Sequence, residues 1–340
     1  MKNGFKVVFV IIGTIIGAGF ASGQEIFLFF NSFGVYGLIG IVLSAFITSF
    51  IIYKLIRICQ VYSISTYDEF LNQLLGRNKF LKWFVSLLIN LFLLITFYIM
   101  VAGFGAYFFQ ELNTSKLIGS FLIIAMCYII FKKKTSGLVK ANELLVPGLI
   151  ILIFLLGLKC TGIFSIHSFT ASTQTHLIGN WLISSIIYAS YNSIILIPML
   201  ITLKDFLKTK KQASFVSISC GFIIAILGLL ISISIATIGS QIEVIELPTV
   251  YVASRFGSFY QYLYGIVILI AIFTSAIAAG YGFLNNWSNS EKEYQYLLIF
   301  MCITALFVSN IGFSNLVTIL YPLFGYLGLV QILLALKTKT

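Results

Sequence analysis

The chain has 340 residues, 60% of them hydrophobic and 9% charged, with a mean hydropathy of +1.06 and a formal net charge of +11. A water-soluble domain carries about a quarter charged residues, so this composition excludes a soluble globular or disordered chain and describes an all-α polytopic membrane protein. The positive charge is scattered over the short segments between apolar stretches, which argues for membrane sidedness and against a nucleic-acid partner.

About 20 apolar residues cross a hydrocarbon core. On that measure ten transmembrane helices are expected, near 5–30, 34–57, 81–109, 115–131, 138–158, 180–203, 212–238, 260–284, 294–309 and 313–336. With the N-terminus inside, every Lys and Arg except Lys116, Lys159 and Arg255 falls on the cytoplasmic side, as the positive-inside rule requires. Both termini are therefore expected in the cytoplasm, with the chain multi-pass in the plasma membrane and the lipid bilayer as its surroundings. Lys2 and Lys6 ahead of an apolar run resemble a secretory leader, but hydrophobicity resumes beyond Glu25 and nine further spans follow.

The first span is interrupted by Gly13-Thr-Ile-Ile-Gly17-Ala-Gly19-Phe-Ala-Ser-Gly23-Gln-Glu25. Flexible, polar backbone at membrane depth persists only where it is buried in protein or lines a cavity, so the interruption marks a candidate binding site. Its glycines fit the small-x-x-x-small pattern of helix packing, which leaves Gln24 and Glu25 unexplained. It is not a nucleotide loop, because Ser22 stands three residues after Gly19 and no lysine follows. If helix resumes at once, Glu25 lies about 9 Å beyond Gly19, toward the outer vestibule. It could balance a cationic substrate, carry a coupling proton or pair structurally.

Further along, Ser65 to Gly76 carries a helix start and a glycine stop and predicts a short surface helix. In span five, Lys140 and Glu143 are one turn apart and read as a structural ion pair, with an inner gate as the alternative. The cysteines Cys59, Cys127, Cys160, Cys220 and Cys302 are scattered without metal or disulfide spacing. His167 and His176 share one loop and read as surface residues.

Spans one to five (1–159) and six to ten (180–340) flank the loop 160–179 and enter the membrane oppositely, as an inverted repeat requires. Transporters built this way hold their substrate at mid-membrane, at discontinuous helices in corresponding positions. Span six is the counterpart of span one, and its Tyr188-Ala189-Ser190-Tyr191-Asn192-Ser193 cluster ahead of Pro198 predicts a second break there. The alternative is an intact helix whose polar side chains hydrogen-bond to neighbours.

These residues resemble a family. The Gly17-Ala-Gly19-Phe-Ala-Ser-Gly23-Gln-Glu25 break, the ten spans in a 5+5 inverted repeat and the Glu246-Leu-Pro248-Thr-Val-Tyr loop make the chain similar to LeuT-fold transporters of the amino acid-polyamine-organocation superfamily. Within that superfamily it resembles the YkvI-type bacterial membrane proteins. The resemblance implies broken helices one and six, with the solute held by Gly17, Ala18, Gly19, Phe20, Ala21, Ser22 and Gly23 and by Ala189, Ser190, Tyr191 and Asn192. Tyr98 would cap the site as a span-three tyrosine does in several relatives, and Gln24 and Glu25 would gate or carry a proton or cation.

Ala271-Ile-Phe-Thr274-Ser275 resembles the span-eight pattern that holds sodium in coupled members, with the carbonyls of Gly13, Ile16 and Ala271 and the hydroxyls of Thr274 and Ser275 as ligands. The alternative is back-bonding of Thr and Ser to their own helix. Phe20 stands where many neurotransmitter-type relatives have asparagine, which removes a ligand of their other sodium site. The expected function is sodium-coupled secondary active transport of an amino acid or related zwitterion by alternating access. No enzyme chemistry and no cofactor beyond sodium are expected, and oligomeric state is left open. A LeuT-fold ligand sensor of the germinant-receptor type is the competing expectation.

Overall fold

In a computed structural model of the chain, residues 2–64, 66–76, 79–133, 138–163, 169, 178–203, 206–288 and 290–338 are described. Several helices start where the sequence supplies an acceptor for their first free N–H groups. Thr66 and Glu69 form a reciprocal capping box, as do Thr209 and Gln212. The Asn180 side chain accepts from the N–H groups of Leu182 and Ile183, both at 3.0 Å, and Ser290 caps the Glu293 N–H at 3.2 Å.

The α-helices among the described residues are α1 (Lys2–Ile15), α2 (Ala18–Ser22), α3 (Gln24–Phe29), α4 (Tyr36–Val61), α5 (Tyr67–Leu75), α6 (Lys79–Leu112) and α7 (Lys116–Lys133). Then follow α8 (Leu138–Thr161), α9 (Trp181–Thr202), α10 (Lys210–Ala236), α11 (Pro248–Ser254), α12 (Ser258–Trp287), α13 (Glu291–Ser309) and α14 (Phe313–Lys337). Every expected span coincides with one of the long helices, the first with α1 to α3 together. The expected surface helix is α5, capped by Thr66 and ended at Gly76 with φ +63°. The Lys140 and Glu143 side chains, Ser65, His167 and His176 lie outside the described residues.

By length and composition α4, α6, α10, α12 and α14 can each cross a bilayer. Their outward faces and those of α7 and α13 carry strongly exposed Phe46, Phe121, Ile218, Phe222, Phe259 and Phe307. Lipid tolerates such surface and water does not. The chain is a multi-pass membrane protein. Its interior is aromatic, with Phe20, Phe29, Phe30, Phe92, Tyr188 and Tyr321 all buried at 0–1% exposure.

The helix pairings have an internal order. Exchange α1 with α9, α4 with α10, α6 with α12, α7 with α13 and α8 with α14. The pair α4–α9 then becomes α10–α1, α14–α9 becomes α8–α1, and α6–α7 becomes α12–α13. Likewise α10–α8 becomes α4–α14, α12–α8 becomes α6–α14, and α13–α6 becomes α7–α12, every one of them a contact in the structure. The pairs α1–α9, α4–α10, α6–α12 and α7–α13 map onto themselves.

Glycines set the closest of these approaches, because helices in lipid associate through close packing rather than hydrophobic exclusion. A Cβ on Gly325 would stand 2.8 Å from the Ile187 carbonyl oxygen, and one on Gly328 would stand 2.7 Å from the Ser190 carbonyl carbon. Backbone cannot swing aside as a side chain does. Gly328→Ala is therefore expected to cost about 1–3 kcal/mol and to lower the unfolding midpoint in detergent. Gly148→Ala, where a Cβ meets nothing within 4 Å, should leave it unchanged.

Candidate functional site

The first membrane segment is broken twice, at two glycines. Helix α1 makes its last backbone bond from Ile16 N–H to the Ile12 carbonyl at 2.7 Å, and Gly17 is then extended at φ −77°, ψ −172°. The single turn α2 ends at Gly23 in the left-handed region (φ +86°), after which α3 continues. Glycine enters that conformation without strain. It is also enclosed, since a Cβ there would meet Ile235 at 3.0 Å and Thr249 at 3.1 Å.

Breaking a helix strands the last carbonyls of one half and the first N–H groups of the next. Among the described residues the carbonyls of Gly13, Thr14, Ile15 and Ile16 receive no backbone N–H. Side chains serve the next ones. The Ala21 carbonyl accepts from the Thr249 hydroxyl at 2.8 Å and the Tyr264 hydroxyl at 3.0 Å, and the Gly19 carbonyl from Ser22 Oγ at 3.0 Å.

Beside the stranded carbonyls lies a cavity of about 20 Å³, lined by Gly13 and Ile16, by Ala271, Thr274, Ser275 and Val267 of α12, and by Val146 and Leu149 of α8. All five residues expected to hold a cation are brought to this one space. Gly13 is required here, because a Cβ would collide with Val146. Thr274 Oγ1 donates to the Ala271 carbonyl at 3.1 Å, the back-bonding to its own helix that was the competing expectation for this residue. A Cβ on Gly17 would stand 3.7 Å from Ser275 Oγ, so that hydroxyl borders the break. The donors are neutral oxygens, the set that suits a hard, singly charged cation and suits soft transition metals poorly.

Glu25 is elsewhere than the straight-helix estimate puts it. The left-handed turn at Gly23 folds the carboxylate back onto Gly19, whose missing Cβ would stand 2.8 Å from Glu25 Cδ. Glu25 is therefore buried at 2% exposure, not in a vestibule. Its hydrogen-bond partner is a hydroxyl of α9, Tyr188 donating to Oε2 at 3.5 Å, with Tyr191 of the same helix close by. The Tyr191 ring stacks on Tyr321 of α14 at 4.5 Å between centroids, and Phe29, Phe30 and Phe92 close the cluster around Tyr188 and Tyr191.

Two expectations are corrected. Helix α9 runs unbroken from Trp181 to Thr202, so Ala189, Ser190, Tyr191 and Asn192 release no backbone to a ligand. Apart from Tyr191, the polar side chains here are turned onto their own helix: Ser190 Oγ donates to the Ile186 carbonyl at 2.8 Å, Asn192 Nδ2 to the Tyr188 carbonyl at 3.0 Å, and Ser193 Oγ to the Ser190 carbonyl at 2.7 Å. Tyr98 does not cap the break either. Its hydroxyl pairs with Thr304 of α13 at 2.6 Å.

A clamp covers one side of the break and was not read as a unit from sequence. Residues 245–247 are held by four elements. Gln24 of α3 donates to the Ile245 carbonyl at 2.7 Å and accepts from Ser314 of α14 at 3.4 Å. Lys116 of α7 pairs with Glu246, which also accepts the Ser314 N–H at 3.1 Å. Gln110 of α6 brackets Leu247, donating to its carbonyl at 3.2 Å and accepting its N–H at 3.0 Å. Only Glu246-Leu-Pro248 carried a local signal. Gln110, Lys116 and Ser314 are single polar residues whose partners lie more than 60 positions away.

No family model matches the chain. It is 28% identical over 332 residues to the uncharacterized membrane protein YkvI of Bacillus subtilis, covering 96% of this chain and 93% of that one. It is 26% identical over 331 residues to the uncharacterized protein YyaD of the same organism, covering 96% and 94%. Crystal structures of a manganese transporter from Eremococcus coleocola superpose with a TM-score of 0.63 at 13% identity, covering 98% of this chain and 78% of that one. The chain therefore shares the fold of a membrane transporter.

The clamp makes a measurable demand. Gln110→Ala removes two hydrogen bonds from Leu247, each contributing about 1 kcal/mol, so the closed-to-open ratio at this end should fall roughly tenfold or more. The rate at which a thiol reagent labels Ala18→Cys, in a variant whose native cysteines are replaced, should rise accordingly. An unchanged rate would show that residues 245–247 do not hold this end shut.

Proposed function

We propose that this protein is a secondary active transporter of an amino acid or related zwitterion, coupled to sodium and working by alternating access around the break at Gly17–Gly23. The observation that carries the reading is the convergence of Gly13, Ile16, Ala271, Thr274 and Ser275 on one cavity beside stranded helix-end carbonyls. The cavity volume matches a single small ion or water, since about 10–15 Å³ of free space accommodates one water. In this reading the ion draws the end of α1 onto α12. The solute lies at α2, where free N–H groups suit a carboxylate.

The ten-helix, 5+5 arrangement of LeuT type and the cytoplasmic placement of both termini belong to the same proposal. The exchange order of helix contacts supports two structurally equivalent halves, 1–159 and 180–340, joined by 160–179. The clamp at residues 245–247 fits a gate at the non-cytoplasmic end, because Lys116 is one of the three basic residues the sidedness count leaves there. Binding a solute and an ion at opposite sides of α1–α2 gives each a stake in the same backbone.

Manganese is the cargo named for the structural neighbour, and this chain's donors do not suit it. Among the described residues no group of three His, Cys, Asp or Glu side chains could hold a metal. A divalent ion needs charged or numerous oxygen ligands. At the break the sole acid is Glu25, embedded among tyrosines.

The test is uptake of a mixed labelled amino-acid pool into proteoliposomes, with and without a sodium gradient. Accumulation should require the gradient, and equal uptake in both conditions would remove the coupling. Sodium should also raise the unfolding midpoint of the wild type, because an ion that binds only the folded state stabilises it by RT ln(1 + [Na⁺]/Kd). Thr274→Ala with Ser275→Ala should abolish that rise while potassium remains without effect on either protein. A preserved sodium response would show that the cavity is not the ion site.

A further inference from the structure

We infer that Glu25 binds the protonated amine of the solute and surrenders a proton when the amine arrives, so that the solute's ammonium group enters in exchange for H⁺. This deepens the transport reading above and rests on it for the location of the solute at α2. It goes further in naming a cationic nitrogen as the required feature and a second ion, the proton, as a participant.

Glu25 is buried at 2% exposure and lies against Gly19 of α2, within the broken segment itself. The titratable groups facing it are Tyr188 and Tyr191 of α9 and Tyr321 of α14. From α10 the same region receives Ile231 and Ile235, and α2 contributes no titratable side chain. Among the described residues no Lys, Arg or His pairs with it, whereas Glu246 has Lys116.

An ionised carboxylate enclosed without a cation costs several kcal/mol, and hydroxyl donors recover only part of that. Compensation must then come from outside the chain. It takes two forms, a proton on the carboxyl or a cation beside the carboxylate. The two exclude one another at one oxygen pair, and that exclusion is the exchange: carboxylic acid plus ammonium gives a carboxylate–ammonium pair plus a proton released to the open side. Tyr188 remains as a donor to the carboxylate in the paired state.

Position supports the same group as a reader of the solute. Gly19 is the residue on which the carboxylate rests, and its missing Cβ is what admits it. One acid among three tyrosines therefore separates amines from their deaminated analogues.

The experiment uses full-length protein in nanodiscs, where no gradient exists and transport plays no part. Binding of the twenty common amino acids and of their 2-hydroxy-acid analogues is read by thermal stabilisation, and proton release by a pH dye in weak buffer. The amino acids that bind should release about one proton each, and their hydroxy analogues should bind at least tenfold more weakly. Glu25→Gln should abolish proton release and weaken amine binding at least tenfold, with its own unfolding midpoint and its sodium response retained. Tyr188→Phe gives an independent arm, with proton release preserved and affinity reduced. Proton release undiminished in Glu25→Gln, equal binding of the hydroxy analogues, or no proton release from the wild type with any of the probes would each overturn the assignment. Failure of the transport reading looks different: it appears as loss of accumulation in vesicles while proton release on binding persists.

Discussion

Peptide groups released from a helix inside a membrane have no water to turn to, and much of this structure follows from where such groups at Gly17–Gly23 find partners. The Ala21 carbonyl is taken by Thr249 and Tyr264, which fixes α11 and α12 against α2. Gln24, at the start of α3, is committed to Ile245 and Ser314, which fixes the segment before α11 and the start of α14. The break is thus satisfied partly by its own Ser22 and partly by the second half of the chain. Any movement of α1 to α3 must exchange those partners for others, so motion here is a switch between arrangements rather than a gradual bend.

The two halves share a pattern of contacts yet differ at the positions the pattern equates. Helix α1 yields to α2 and α3 through glycine, whereas α9 stays whole. The physical reason lies in two residue types. Between Leu182 and Thr202 there is no glycine to enter an extended or left-handed conformation. Ser190, Asn192 and Ser193 spend their hydrogen bonds on carbonyls of their own helix, which stabilises it locally. Polar residues in a membrane helix mark either a break or self-satisfaction, and glycine decides between them.

That distinction explains what could be read from the sequence. The long helices follow from hydropathy because an apolar run of sufficient length has few alternatives, and each expected span has its helix. The break at Gly17 to Gly23 was legible for the same reason that it exists: glycine is the residue whose backbone leaves a helix without strain. Thr274 and Ser275 were singled out by the resemblance of Ala271-Ile-Phe-Thr274-Ser275 to a family pattern, and with Ala271 they line one cavity beside the break. Tyr98 was misplaced because a tyrosine hydroxyl in lipid finds any acceptor, here Thr304, and sequence does not say which. Glu25 was misplaced because a straight-helix rise ignores the direction of the chain after a left-handed residue. The clamp stayed hidden because Gln110, Lys116, Glu246 and Ser314 acquire meaning only when four elements meet.

The same fold serves a manganese transporter, and fold by itself does not choose a cargo. Donor chemistry does. Here two sets of groups grip opposite ends of one short broken segment: neutral oxygens of α12 at the Gly13–Gly17 end, and an acid with tyrosines of α9 and α14 at the Gly19–Glu25 end. In the proposed reading an ion at the first set draws α1 toward α12, and the second set holds α3 against α9 and α14. Two sites that share a backbone segment need no long chain of intermediates to influence each other, because the position of Gly17–Gly23 that suits one sets the position available to the other. In the proposed cycle an ion at the first site orders the end of α1 and thereby the free N–H groups of α2 that meet the solute. The solute at the second site lifts the Glu25 carboxyl off Gly19. Coupling between ion and solute is then a property of seven residues of chain, set by glycines at both ends and at Gly19 between them.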